Sequence, residues 1–177
     1  AGLRRAWRKA FLSQFDALIT YSSQGAQEYA AIGFPRERIF VAPNAAAARP
    51  AAPPPERPPH IKGTPAVLFV GRLQERKRVD LLLRACAALP PNLQPPLTIV
   101  GDGPARAALQ ALAAEVYPRA VFAGARHGAE LEPFFAAADL FVLPGTGGLA
   151  VQQAMAAGLP VMAAEADGTQ ADLVRPQ

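Results

Sequence analysis

Five short apolar runs, "AVLFV" (66–70), "LTIV" (97–100), "AVFA" (120–123), "LFVL" (140–143) and "PVMAA" (160–164), alternate with helix-forming stretches near 79–89, 104–117, 129–138 and 148–157. A strand that is apolar at every position is buried on both faces, and a helix after each strand supplies the crossover that parallel strands require. The predicted fold class is therefore α/β, a doubly wound parallel sheet. Upstream, "FDALITYS" reads as a short strand, "SSQGAQEYAAIGF" as a helix closed by Gly33, and "ERIFVAPN" as a further strand.

The proline-rich stretch "RPAAPPPERPP" (49–59) excludes both helix and sheet and predicts an extended connector. It divides the chain into residues 1–48, a linker over 49–63, and an α/β domain over 64–177. A hydrophobic content of 51% is ample for a buried core. No apolar run reaches the roughly 18 to 20 residues of a membrane span, and the start "AGLRRAWRKA" is not followed by a signal-peptide apolar region. The single Cys86, within "LLLRACAALP", excludes a disulfide framework and predicts a buried thiol in a reducing compartment. Cytoplasmic placement is expected. The first residue is Ala, and the expectation is a fragment of a longer protein.

In open parallel sheets, ligands bind beyond the carboxyl ends of the strands. Four of the five runs end in glycine there: Gly71 in "FVGRLQERK", Gly101 in "IVGDGPAR", Gly124 in "FAGARHG", and Gly145 in "LPGTGG". The last loop, with Gly145, Thr146, Gly147 and Gly148, leads into a helix, and bare backbone at a helix start suits an anion. A tight turn is the alternative. Pro104 suits the first position of its helix, with Asp102 or Gly103 as the cap. Arg72 and Lys77 share the loop after the first run. Their planar fork and point charge, beside a helix N-terminus, fit a diphosphate. A solvated charge run is the other reading, since Glu75, Arg76 and Arg78 surround them.

Other chemistries are poorly served. The chain has neither GxxxxGK[ST] nor GxGxxG, which disfavours P-loop and nicotinamide dinucleotide binding. His60 and His127 lie far apart without Cys or paired carboxylates at ligand spacing, so no metal site is expected. The net charge of +4 favours anionic partners, but one Trp, three Tyr and no basic stretch interleaved with aromatics give nucleic-acid binding little support.

Taken in order and spacing, "GRLQERKRVDLLLRA", "LTIVGDGP", "VFAG", "LEPFFAAADLFVLP" and "GGLAVQQAMAAGLPV" resemble the C-terminal donor domain of family 4 (group 1) glycosyltransferases, the retaining GT-B enzymes. The resemblance covers 64–177, and residues 1–48 look like the tail of that family's N-terminal acceptor domain. It implies a Rossmann-like half of a GT-B enzyme, with a nucleotide-diphosphate sugar as donor substrate, no metal cofactor, and a glycan or lipid-linked acceptor. Arg72 and Lys77 resemble the pair that holds the donor diphosphate and steadies it as it leaves. Gly71, Gly101, Gly124, Gly145, Thr146, Gly147, Gly148 and Leu149 fall on the glycine-bearing loops that face the donor, and Gln153 falls on the ribose position. The family usually carries two glutamates separated by seven residues, which correspond here to Gly145 and Gln153. Both carboxylates are absent. An amide at Gln153 still bonds a hydroxyl, whereas Gly145 offers only backbone.

Three functions remain open on the sequence: a retaining glycosyltransferase whose donor half lies here, a non-catalytic nucleotide-sugar binding module, and a basic domain that binds a membrane or polyanion. The third rests on "LRRAWRKAFLSQF", where Leu3, Trp7, Phe11 and Phe15 fall roughly along one helical face opposite Arg4, Arg5, Arg8 and Lys9. That face either packs on the protein or makes peripheral contact with the inner face of a membrane through residues 3–15. The residues alone carry the donor site but too little of the acceptor lobe, so this chain by itself is expected to bind donor without turnover.

Overall fold

The computed structural model describes residues 2–43, 45, 53, 56, 63–147, 149–165, 170 and 172–174, excluding the side chains of 3–5. Most of the predicted 49–63 linker, and Gly148, lie outside the described residues.

One pair of strands starts the chain and a larger sheet follows. Helix α1 (Gly2–Leu12) precedes strand β1 (Leu18–Thr20), helix α2 (Ser23–Ile32) and strand β2 (Ile39–Val41). β1 and β2 are parallel, with Ile19 opposite Phe40. The boundaries of α2 are chemical. The Ser22 side chain accepts the Gly25 N–H at 3.1 Å, and Gly33 ends the helix in the left-handed region at φ 106°. The Gly33 and Phe34 N–H groups satisfy the last carbonyls at Ala30 and Tyr29. Leu12, Ala26, Phe34 and Ile39 form a small core of their own.

The second unit contains strands β3 (Val67–Val70), β4 (Leu97–Val100), β5 (Val121–Gly124), β6 (Leu140–Leu143) and β7 (Val161–Ala163). Its order is β5-β4-β3-β6-β7, parallel throughout. Helices α3 (Val79–Ala88), α4 (Arg106–Val116), α5 (Glu132–Ala137) and α6 (Leu149–Ala156) make the crossovers. All four residues of β3 are buried, as expected of a central strand covered on both faces. In α3 the buried positions are Val79, Leu82, Leu83 and Cys86, the i, i+3, i+4, i+7 spacing of one helical face. Cys86 is a free, buried thiol whose pKa is pushed up by burial.

Two local expectations need correction. Pro104 does not open α4. It lies in a turn, and the helix begins at Arg106 after Ala105, while the Asp102 side chain accepts the Gly103 N–H at 2.7 Å. The stretch near 129–138 is only partly α-helical, because a 3-10 turn over Gly128–Leu131 precedes the short α5.

The aromatic face near the N-terminus is also open in the structure. Trp7, Phe11 and Phe15 are 75%, 50% and 44% exposed, and α1 reaches the small core through Leu12 instead. The three rings contact each other: Trp7 stacks on Phe11 with centroids 6.5 Å apart, and Phe11 meets Phe15 edge-on at 5.1 Å. Among the described residues, no helix is long and apolar enough to cross a membrane.

Candidate functional site

The carboxyl ends of β3, β4, β5 and β6 frame a cleft of about 860 Å3. Backbone packing between the first two loops builds its floor. The Gly71 N–H donates to the Val100 carbonyl at 3.0 Å, and the Leu73 N–H donates to the Asp102 carbonyl at 2.9 Å. Gly101 has φ 142°, and a Cβ there would run into the Gly71 carbonyl oxygen. Gly103, at φ 155°, faces the Leu73 carbonyl in the same way. These two glycines are therefore required by loop-on-loop packing before any ligand is considered.

The second wall is a latch between the loop after β3 and the loop before α6. Residues Glu75–Lys77 form a 3-10 turn. The Thr146 N–H donates to the Arg76 carbonyl at 3.0 Å, Lys77 Nζ donates to the Thr146 carbonyl at 2.6 Å, and Arg76 Nη1 donates to Thr146 Oγ1 at 3.3 Å. Glycine is imposed at both flanking positions. A Cβ on Gly145 would strike the Arg76 carbonyl oxygen and lie 2.6 Å from the Lys77 carbonyl carbon, and one on Gly147, at φ 115°, would strike Lys77 Nζ. The absence of a side chain at 145 is thus a packing requirement of this latch: a glutamate there would have to displace backbone.

The expected site residues fall into two groups. Gly71, Arg72, Lys77, Gly101, Gly147, Leu149 and Gln153 all line the cleft. Arg72 is exposed and has no hydrogen bond or ion pair among the described residues. Gly124, Gly145 and Thr146 do not line it. Gly124 lies behind the floor, where its carbonyl accepts the Gly101 N–H at 2.8 Å, and Gly145 and Thr146 form the back of the latch. Gly148 lies outside the described residues.

Arg76, Arg126 and His127 also line the cleft and were not assigned to the site from the sequence. The last two follow β5, so their place just past a strand end was the signal. His127 opens the 3-10 turn before α5: its N–H donates to Glu130 Oε2 at 3.2 Å, and its carbonyl accepts the Glu130 N–H at 3.1 Å. Asp102 also lines the cleft. The Gly103 N–H and then Arg106, whose Nη1 donates to Oδ2 at 2.8 Å, hold its carboxyl below the ordinary range. One already paired carboxylate thus faces Arg72, Arg76, Lys77 and Arg126, and the net field favours an anion. Among the described residues, no group of three His, Cys, Asp or Glu could hold a metal ion.

Comparison with known proteins matches the chain to a family. Residues 64–177 fit the family model described as Glycosyl transferases group 1. A GDP-mannose-dependent alpha-mannosyltransferase of Mycobacterium tuberculosis is 45% identical over 117 residues, covering 64% of this chain and 29% of that protein. A D-inositol 3-phosphate glycosyltransferase of Nocardia farcinica is 31% identical over 185 residues, covering 93% of this chain and 41% of its own length. Among solved structures, the apo form of the lipopolysaccharide outer core galactosyltransferase WaaB superposes with a TM-score of 0.74 at 25% identity, over 91% of this chain and 46% of that one. The chain spans less than half the length of each of these relatives.

Proposed function

The chain belongs to the group 1 glycosyl transferases, and from that membership and its cleft we propose that it carries the donor-binding half of an enzyme that moves a sugar from a nucleotide-diphosphate sugar to a glycan or lipid-linked acceptor with retention. The observation that carries this reading is that Arg72 and Lys77 line one cleft, Lys77 resting on the Thr146 carbonyl before α6, and that among the described residues its only lining carboxylate, Asp102, is already paired. As the acceptor hydroxyl attacks the anomeric carbon, charge develops on the departing diphosphate. The two cations and the positive end of α6 would stabilise it there without a metal. Gln153 offers its amide to a ribose hydroxyl. Retention, donor binding without turnover in the isolated chain, and cytoplasmic placement belong to the same proposal.

The test is calorimetric titration of the chain with UDP, GDP, ADP and their sugars. Arg72→Ala and Lys77→Ala should each weaken diphosphate binding by about 1.5–3 kcal/mol, the range for charge-assisted hydrogen bonds. Parent-like binding in both variants would remove the diphosphate assignment. Retention is checked in the full-length protein by the anomeric configuration of the product.

A second reading, a binding module without transfer, is favoured by one observation: the latch leaves no room for a carboxylate at 145. Donor binding by the full-length protein with no transfer across a broad acceptor panel would establish it. The exposed rings of Trp7, Phe11 and Phe15 beside Arg8 and Lys9 support peripheral contact with anionic lipid, which cosedimentation with anionic vesicles would test.

A further inference from the structure

Two residues beyond β7 face different parts of the molecule. Gln170 is 4% exposed, and its Nε2 donates to the Gly145 carbonyl at 3.0 Å in a buried bond. Asp172 is exposed, and its Oδ2 accepts the Ser23 N–H, in the first turn of α2, at 2.7 Å. The two are held in one turn: the Leu173 and Val174 N–H groups both donate to the Gln170 carbonyl, at 3.0 and 2.7 Å, and both side chains pack on the core of the five-stranded unit. The same short segment therefore touches the glycine latch on one side and the N-terminal unit on the other.

Each contact has a definite physical effect. The Gly145 carbonyl direction sets the plane of the Gly145–Thr146 peptide, so it also sets where the Thr146 N–H meets Arg76. Lys77 Nζ rests on the next carbonyl along. Loss of the Gln170 donor would leave a buried carbonyl without that partner and free the peptide to turn. At the other end, the Asp172 carboxylate complements the positive start of α2, where Ser22 already serves the Gly25 N–H.

We propose that Gln170 and Asp172 are positioning residues through which docking of the N-terminal unit orders the latch that places Lys77. The effect on ligand affinity rests on the diphosphate reading; the mechanical link does not. Hydrogen exchange of the ligand-free full-length protein tests the link directly. Asp172→Ala, an exposed substitution, should accelerate exchange at 23–26 and also at 145–147, whereas Gln170→Met, of similar shape without a donor, should accelerate 145–147. Asp172→Asn retains an oxygen that accepts the Ser23 N–H and should restore protection at both places. Faster exchange at 23–26 with parent-like exchange at 145–147 in Asp172→Ala would overturn the proposal.

A second measurement follows GDP and UDP affinity in the same proteins. Asp172→Ala should bind about fivefold more weakly, the size of one hydrogen bond transmitted to the site, with Asp172→Asn near the parent. Unchanged affinity in Asp172→Ala, in a parent that binds either nucleotide, would also overturn it. If the parent binds neither, the diphosphate reading fails on its own, and the exchange experiment still decides the link.

Discussion

Strands β2 and β3 are both short, apolar and parallel to a neighbour, yet they end in different environments. In β3 every residue from Val67 to Val70 is buried between β4 and β6. In β2, Ile39 is buried while Phe40 is 57% exposed, and its partner Ile19 across the pair is 73% exposed. A parallel sheet hides both faces only where helices cover both, and in the described residues α2 and Leu12 cover one face of the β1–β2 pair. The cleft is built where coverage is complete. Its loops meet backbone to backbone, and that tolerance of tenths of an ångström depends on a core that does not shift beneath them.

The largest test of this contrast is one substitution made in each unit. Phe69→Ala, in β3 and fully buried, should cost about 3–5 kcal/mol of stability, since a large cavity opens in a packed core. Phe40→Ala should change stability by no more than about 0.5 kcal/mol. Denaturant midpoints at constant m-value measure both. A comparable loss in Phe40→Ala would mean that its face is covered in solution.

Left-handed glycines sharpen the same comparison at smaller size. Gly33 and Gly101 both have positive φ, but the added Cβ meets different things: at Gly33 the flexible stem of Lys9 at 3.4 Å, at Gly101 the fixed Gly71 carbonyl. Gly33→Ala should cost about 1–2 kcal/mol, the backbone penalty alone. Gly101→Ala should cost about 3 kcal/mol, because a steric clash that only backbone movement relieves is added. Equal losses in thermal unfolding would show that the floor of the cleft yields more readily than its packing implies.

These contrasts also explain what was legible in the sequence. The five apolar runs, the Ser22 and Gly33 boundaries of α2, and the pairing of Arg72 with Lys77 on one loop are local patterns, and local patterns survive folding. The glycines were read as room for a ligand. For Gly101 and Gly145 the room is filled by another loop's backbone, which nothing near them in the sequence reveals, and Gly103, read only as a helix cap, packs on the Leu73 carbonyl. Gln170 was invisible for the same reason, since its partner lies 25 residues away. Arg126 and His127 were passed over because Gly124 beside them drew the assignment, although its left-handed φ of 76° instead supports a register shift against β4, at Ile99/Val100.

Arg78 provides the smallest and most discriminating test, because it reverses the glycine argument. It is the one non-glycine with positive φ among the described residues, at 53°, and it joins the Glu75–Lys77 turn to α3. Left-handed backbone costs an ordinary residue roughly 1–2 kcal/mol, whereas glycine adopts it freely and loses about 0.5–1 kcal/mol of unfolded-chain entropy instead. The side chain returns little: its 3.5 Å contact with Asp80 is half exposed at both ends, a class worth about 0–1 kcal/mol. Arg78→Gly should therefore stabilise the protein by a few tenths to about 1 kcal/mol, leaving Lys77 on the Thr146 carbonyl and nucleotide affinity unchanged. Arg78→Val, β-branched and unsuited to positive φ, should lower both stability and affinity. If Arg78→Gly were instead destabilising, the guanidinium would be holding the turn beside the cleft through more than its contact with Asp80, and the strained backbone at 78 would be the cost of that hold.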